Sequence, residues 1–334
     1  MSKIYEDRID SQPIADSSKL NYKHKIKIIK EWSNKPIEWI MRNPKAILKM
    51  LVGKTENPGS LAAYITPICK MYTIHPTFLS ENTAQYTLYT KILKYYTKKQ
   101  DEKYETNVMP ANKLENIVPY DLLLSGFCEL EQDNTTYTNY KSHLRYILLA
   151  IFLNIKPKRA DLGELRILQN TTVIPDEFKD TNCLLLNEHN SMIVMNKYKT
   201  YKHHGQVGEK LTPKLTHILK KSIELFPRDY LFISLSGAIK HQPYKKNNSY
   251  SQYVKRTFDK EFGKSMGVSL WRHVYIGEHV DFNNESYATL KENARLSGQS
   301  VMTQLKIYKY LGATLLKRPA DKSNECPINS STNK

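Results

Sequence analysis

Cysteine is scarce in this chain, with four residues among 334. They are Cys69, Cys128, Cys183 and Cys326, and no two of them show the close spacing that is typical of zinc ligands. A structural zinc site is therefore not expected, and no metal site is predicted.

Long apolar runs are also lacking. The longest strongly apolar stretch, 146–155, is about half the length that a membrane-spanning helix needs. Residues 1–10 carry both signs of charge and have no apolar core, so no secretory signal is expected. The sequence predicts a protein with no membrane partner.

Acidic residues are few relative to basic ones. Lys and Arg number 50 against 33 Asp and Glu, which gives a formal net charge of +17. Each Lys or Arg that neutralises a phosphate releases a condensed counterion, so such a surplus favours a polyanionic partner. The charge indicates a nucleic acid, and a basic protein without such a partner is the alternative.

The spacing of apolar residues predicts a mainly α fold with a small antiparallel β-sheet, an α+β arrangement. The sheet is expected from short strands at 183–187, 192–196 and 207–211. Polar composition predicts disorder at the two ends, and a Lys-, Glu- and Asn-rich stretch without apolar period predicts a linker. The predicted organisation is a disordered N-terminus (1–17), a helical domain (18–100), a linker (101–114), a larger domain with the sheet (115–316) and a disordered tail (317–334).

Three basic residues stand at positions suited to phosphate chemistry. Arg159, in the stretch 157–162, follows an apolar helix, where a guanidinium could fork onto two phosphate oxygens. Arg272 lies on a predicted helix with apolar neighbours on one side, which makes it less than freely solvated. Lys199 ends an apolar strand, where an ammonium could give a proton to a leaving oxygen, and Lys197 is its alternative.

A tyrosine follows these residues on the last predicted helix. Gly298, Gln299 and Ser300 form a cap and a helix start that is a candidate anion site, and Tyr308 lies nine residues beyond Gln299. A tyrosine hydroxyl near two arginines can attack a phosphodiester. Since the chain has 23 tyrosines, the position alone decides little, and Tyr310 competes from another face of the helix.

The ordered set of Arg, Lys, Arg, Gln and Tyr resembles the tyrosine recombinases of the lambda-integrase type. Within that family the chain looks most similar to integrase-like members of large eukaryotic DNA viruses, virophages and related mobile elements. The resemblance covers about 20–315, and its most specific segments are Pro157-Lys158-Arg159-Ala160-Asp161-Leu162, Asn196-Lys197-Tyr198-Lys199-Thr200, 268–275 and 297–308.

The resemblance implies a site-specific recombinase or integrase that cuts and rejoins duplex DNA through a 3′-phosphotyrosyl intermediate, without a cofactor. It assigns Tyr308 as the nucleophile, Arg159 and Arg272 as holders of the phosphate oxygens, and Lys199 as the donor to the 5′-oxygen. It implies a core-binding role for 18–100 and a catalytic role for 115–316.

The resemblance also implies partners and a location. Double-stranded DNA is the expected partner, bound by a homotetramer on paired recombination sites. The apolar segment 311–316 is expected to dock on a neighbouring protomer. The implied location is intracellular, at DNA, in a host nucleus or a viral factory if the source is viral.

Two positions depart from the family pattern. Ser269 stands where the family has His or Lys, and Gln299 stands where it has His or Trp. Both side chains can hydrogen-bond a phosphate oxygen, but neither carries a proton as imidazole does. His273 is a candidate to compensate, although a lone histidine is more often structural. A type IB topoisomerase and a catalytically degenerate DNA-binding relative are the alternatives.

Overall fold

The computed structural model describes residues 2–106, 108–234, 242–244 and 249–308. The chain divides into two compact units, Met1–Thr106 and Asn107–Lys334, and the division falls within the predicted linker. The predicted docking segment 311–316 and the predicted tail 317–334 lie outside the described residues.

The first unit is helical, and its core holds two tyrosines with satisfied hydroxyls. The hydroxyl of Tyr89 donates to the carbonyl of Ile40 at 2.6 Å, and that of Tyr72 donates to the carbonyl of Met41. Burying the rings is favourable because each polar tip keeps a partner. The helices are α1 (Ser2–Asp10), α2 (Asp16–Ser33), α3 (Ile37–Arg42), α4 (Pro44–Val52), α5 (Pro58–Thr73), α6 (Pro76–Glu81) and α7 (Thr83–Glu105).

Helix α1 occupies about half of the segment 1–17, for which the sequence predicts disorder. Tyr5 and Ile9 lie one helical turn apart and are both buried, with 5% and 2% of their surface exposed. The Asp10 carboxylate pairs with Lys23, and its carbonyl accepts from Lys19 at 2.8 Å. Two well-spaced apolar residues are enough to hold an otherwise polar helix on the core.

Part of the predicted linker, 101–114, is helical. Helix α7 continues to Glu105, and a short helix, α8 (Ala111–Leu114), follows. Lys98 and Glu102 are an i,i+4 pair on α7 with N and O 3.8 Å apart. Charged side chains at this spacing support a solvated helix that has no apolar period to reveal it.

The second unit combines helices with a small sheet. Helix α11 is its centre, since every residue from Ser142 to Leu153 is buried, as expected for a helix that is apolar nearly all round. The elements after α8 are α9 (Tyr120–Gln132), α10 (Thr135–Thr138), α11 (Tyr140–Asn154), a 3-10 helix (Ala160–Glu164), β1 (Arg166–Gln169), a 3-10 helix (Asp176–Phe178), β2 (Cys183–Leu186), β3 (Met192–Met195), α12 (Tyr201–His204), β4 (Val207–Lys210), α13 (Pro213–Leu225), α14 (Ser249–Phe262), α15 (Val268–His279), α16 (Tyr287–Leu296) and α17 (Val301–Ile307).

The four strands form one mixed sheet in the order β1-β2-β3-β4. Strands β2, β3 and β4 are antiparallel, with Leu184 opposite Ile193 and Val194 opposite Gly208. Strand β1, which the sequence did not predict, runs parallel to β2 with Ile167 opposite Leu184. The predicted fold class, mainly α with a small sheet, is confirmed, and β1 makes that sheet mixed instead of purely antiparallel.

None of the described helices is long and apolar enough to cross a bilayer. Within the same residues, no three His, Cys, Asp or Glu side chains are grouped so that they could hold a metal ion.

Candidate active site

Helix α15 is anchored on the central helix by Trp271. The indole stacks on Phe152 of α11 with ring centroids 3.9 Å apart, and its N–H donates to the Phe152 carbonyl at 3.1 Å. This contact fixes the rotation of α15 about its axis. As a result the next residue, Arg272, is turned into the protein and has only 5% of its surface exposed.

Arg272 keeps its positive charge despite this burial. Burial lowers the pKa of its guanidinium to about 10, Tyr308 and Asp161 act to raise it, and Arg159 acts to lower it. Because that value is well above neutrality, the group is cationic at physiological pH. These mutual effects also place Arg159, Asp161 and Tyr308 within electrostatic reach of Arg272.

The turn formed by residues 296–299 connects α16 to α17 and holds Arg272. Nη2 of Arg272 donates to the carbonyl of Ser297 at 3.1 Å. With its amide oxygen facing Arg272, Gln299 accepts from Nε at 2.9 Å and also from Nη2. Gly298 has φ of +62°, a left-handed conformation that glycine adopts without strain. The predicted cap region is therefore an acceptor site for an arginine.

Tyr308 directly follows α17 and is buried beside Arg272. Ser300 caps the helix by accepting from the Thr303 N–H at 3.1 Å, as its position predicted, and the Tyr308 N–H donates to the Gln304 carbonyl at 2.9 Å. The Tyr308 side chain is 6% exposed. The guanidinium carbon of Arg272 lies 5.5 Å from its ring centroid.

His273 also packs against the tyrosine. Its ring centroid lies 4.4 Å from that of Tyr308, at an interplanar angle of 54°. Burial lowers the pKa of His273 to about 3, and Lys113 and Arg272 add to this shift. The imidazole is therefore neutral at physiological pH, which does not favour it as a proton donor in place of Ser269 or Gln299.

Arg159, the first predicted arginine, and its neighbour Asp161 both interact electrostatically with Arg272. Arg159 precedes the 3-10 helix Ala160–Glu164, and its buried Nε has no hydrogen-bond partner among the described residues. Burial raises the pKa of Asp161, while Arg159 and Arg272 act to lower it. Both residues line a cleft together with Tyr198 and Gly298. A guanidinium that lines a cleft suits an anionic ligand.

Asp161 was missed as a site residue by the sequence analysis. It lies in the motif 157–162 that the resemblance uses, but no role was assigned to it there. Its position two residues after Arg159 was the available signal, because a carboxylate so close to a predicted phosphate-binding arginine needs an explanation.

Lys199 lies in the exposed turn between β3 and α12. The next residue, Thr200, donates from Oγ1 to the carbonyl of Gly298 at 2.9 Å and so ties this turn to the 296–299 turn. The alternative lysine, Lys197, is also exposed, and its Nζ lies 3.8 Å from Oε2 of Glu164.

Ser269 is exposed on the first turn of α15. In the part of the chain that the structure describes, its hydroxyl makes no hydrogen bond. The predicted site therefore separates into two groups. Arg272, His273, Gln299 and Tyr308 are all buried, and Arg272 contacts Gln299 and Tyr308 while His273 contacts Tyr308. Lys199 and Ser269 face solvent.

Comparison with known proteins leaves the family open. No family model matches the chain, and no curated protein matches it. Among solved structures, the chain is similar to the crystal structure of XerA recombinase, with 12% identity over 92% of this chain and 94% of that chain and a TM-score of 0.38. A similarity at this score does not establish what the chain does.

Proposed function

We propose that this protein cuts and rejoins duplex DNA as a site-specific tyrosine recombinase, with Tyr308 as the nucleophile. The observation that carries the proposal is the juxtaposition of Tyr308 with a buried, cationic Arg272, 5.5 Å from ring centroid to guanidinium carbon. The net charge of +17 supports a polyanionic substrate.

In the proposed reaction, the Tyr308 hydroxyl gives up its proton to water, and its oxygen attacks the phosphorus and forms a 3′-phosphotyrosyl ester. The bond from phosphorus to the 5′-oxygen breaks, and Lys199 gives that oxygen a proton. Arg159 and Arg272 hold the non-bridging oxygens, whose charge grows in the transition state. Because the ester conserves the bond energy, a new 5′-hydroxyl can reseal the strand without ATP.

The 296–299 turn gives Arg272 a fixed orientation for this task. Nε and Nη2 are occupied by Gln299 and Ser297, and Nη1, which makes no hydrogen bond to a described residue, is left for a phosphate oxygen. Since Tyr308 is only 6% exposed, the proposal requires that DNA binding makes its hydroxyl accessible. The homotetramer on paired sites, the viral or mobile-element setting and the associated location rest on the sequence resemblance alone.

A catalytically degenerate DNA-binding protein is the second candidate. Two observations favour it: Ser269 is exposed without a hydrogen bond among the described residues, and Gln299 is engaged by Arg272. Neither position supplies a proton-carrying side chain. The neutral imidazole of His273 does not replace one.

The test uses nicked duplexes from the DNA that flanks the gene, which trap a covalent intermediate because the cleaved strand segment diffuses away. We expect wild-type protein to form a covalent adduct, Tyr308→Phe to form none, and the matched variant Tyr310→Phe to retain it. Adduct at the wild-type level with Tyr308→Phe would show that another residue is the nucleophile.

Two further outcomes separate the alternatives. DNA binding in a gel-shift assay without any covalent adduct supports the degenerate protein. Relaxation of a supercoiled plasmid that lacks a recombination site supports a type IB topoisomerase.

A further inference from the structure

The 296–299 turn receives bonds from three separate segments of the second unit. Three successive backbone carbonyls of the turn each accept a hydrogen bond from a different side chain. Three side chains donate to it: Lys158 Nζ to Leu296, Arg272 Nη2 to Ser297 at 3.1 Å and Thr200 Oγ1 to Gly298 at 2.9 Å.

Each donor belongs to a segment that carries a proposed catalytic residue. Lys158 precedes Arg159, Arg272 is itself one of these residues, and Thr200 follows Lys199. The turn then leads through Ser300 into α17, and Tyr308 directly follows that helix. The four residues of the proposed reaction are therefore linked through the same few backbone atoms.

Lys158 is the least expected of the three donors, because it is a buried ammonium. Only 4% of its surface is exposed, and its Nζ lies 2.5 Å from Oε2 of Glu209 on β4. Oε1 of Glu209 accepts from the backbone N–H of Lys156 at 2.8 Å. Glu209 thus holds both the side chain of Lys158 and the backbone of the loop that leads to Arg159.

Stability alone does not explain this pair. Removing two charges from water is costly, and an apolar pair of similar volume often stabilises a fold at least as well. An ammonium that pairs with a carboxylate and also donates to a carbonyl links two parts of the fold. Here the carboxylate belongs to Glu209 on β4, and the carbonyl belongs to Leu296 in the 296–299 turn.

We propose that Lys158, held by Glu209, is a positioning residue that sets the placement of Arg159 relative to the 296–299 turn and Arg272. The inference rests on the proposed function. Two arginines must converge on one phosphate for the proposed reaction, and a displacement of about 1 Å by a remote change can slow a reaction about 10²-fold.

The experiment removes this pair and compares it with another buried ion pair in the same unit. The test protein is Lys158→Met/Glu209→Gln, which leaves neither charge buried alone. The matched control is Arg145→Met/Glu261→Gln, whose native Nη1 and Oε1 atoms lie 2.5 Å apart between α11 and α14. Arg145 also donates to Ser142, so its partners belong to helices and not to the turn.

Single-turnover adduct formation is measured at saturating DNA, at a temperature where both proteins are fully folded. We expect the Lys158→Met/Glu209→Gln protein to be about 10²-fold slower with unchanged DNA affinity, because only the placement of the arginines changes. The control is expected to keep the wild-type rate. Wild-type rate in the Lys158 protein, or equal slowing in both, would overturn the inference.

Amide hydrogen exchange gives a readout that does not need activity. Exchange at 157–160 and 296–300 is expected to be faster in the Lys158→Met/Glu209→Gln protein and unchanged in the control. If wild-type protein forms no adduct with any DNA, the proposed function fails, and exchange then decides alone whether Lys158 holds the turn. Unchanged exchange in the Lys158 protein overturns the inference whatever the activity.

Discussion

The buried half of the candidate site differs from the exposed half in how its side chains are held. In the buried half, Arg272 is fixed by Ser297 and Gln299 and packs beside Tyr308. In the exposed half, Lys199 lies on a surface turn, which its neighbour Thr200 ties to the carbonyl of Gly298.

This difference corresponds to two chemical tasks. A group that stabilises developing charge acts best when it is fixed before the reaction, because no reorganisation is then needed. A proton donor needs only to reach the leaving oxygen, and a lysine on a turn can be ordered by the DNA itself. We therefore expect the buried half, with Arg272, to be ordered before DNA binds. We expect Lys199 in the exposed half to become ordered only when DNA is bound.

The largest expected effect comes from the buried half. Arg272→Lys keeps a positive charge but loses the bonds of Nε and Nη2, so the cation is no longer fixed. We expect adduct formation to fall about 10³-fold, as for the loss of a preorganised donor. The measurement is single-turnover cleavage of a nicked duplex.

Arg256→Lys on α14 is the matched control, because Arg256 is exposed. It should cleave at the wild-type rate. A loss of less than tenfold in Arg272→Lys would break the comparison, since the fixed orientation would then be unimportant.

A substitution in the exposed half should lower the rate of cleavage without lowering the stability of the fold. Lys199→Ala is expected to slow cleavage about 10²-fold through loss of a proton donor. Its free energy of unfolding should change by less than about 0.5 kcal/mol, as for an exposed residue. A substrate with sulfur in place of the 5′-bridging oxygen should restore the rate, since a thiolate leaves without a proton.

Lys197→Ala serves as the control for Lys199→Ala. Because Lys197 faces Glu164, we expect little change in rate. Slow cleavage in Lys197→Ala with normal cleavage in Lys199→Ala would show that Lys197, and not Lys199, is the proton donor.

A smaller effect concerns the stability of the buried half at acid pH. Folding lowers the pKa of His273 to about 3, so below its ordinary value of about 6.5 the unfolded chain binds a proton that the folded chain does not. Stability is therefore lost as pH falls from about 6.5 towards 3, by about 2 kcal/mol at pH 5 for this group.

Urea unfolding of the full chain at pH 7 and pH 5 measures this loss. His273→Asn should reduce it, and His203→Asn on the exposed helix α12 should not. Equal losses in all three proteins would show that His273 is not a buried neutral histidine.

Local patterns predicted much of the second unit. The strands at 183–187, 192–196 and 207–211 were each placed within one residue of β2, β3 and β4. The cap at Ser300 was predicted from residue type, because its hydroxyl acts within its own helix turn. Such features depend on neighbours in sequence, and sequence therefore reveals them.

The features that were missed depend on distant partners. Strand β1 has only four residues, and its parallel pairing with β2 has no local signal. The Lys158–Glu209 pair joins residues far apart in sequence, and the link from Arg272 to the 296–299 turn needs the folded chain. Helix α1 was missed because two apolar residues, Tyr5 and Ile9, in a polar segment do not show by themselves that they are buried in the core.

The identity of the nucleophile is the central claim, and mapping the DNA-linked peptide tests it most directly. Trypsin cuts after Lys306, Lys309 and Lys317, so Tyr308 and its competitor Tyr310 fall in different peptides. After nuclease trimming of the trapped adduct, mass spectrometry should find the phosphotyrosyl nucleotide on the peptide 307–309. A nucleotide on the peptide 310–317 would contradict the account.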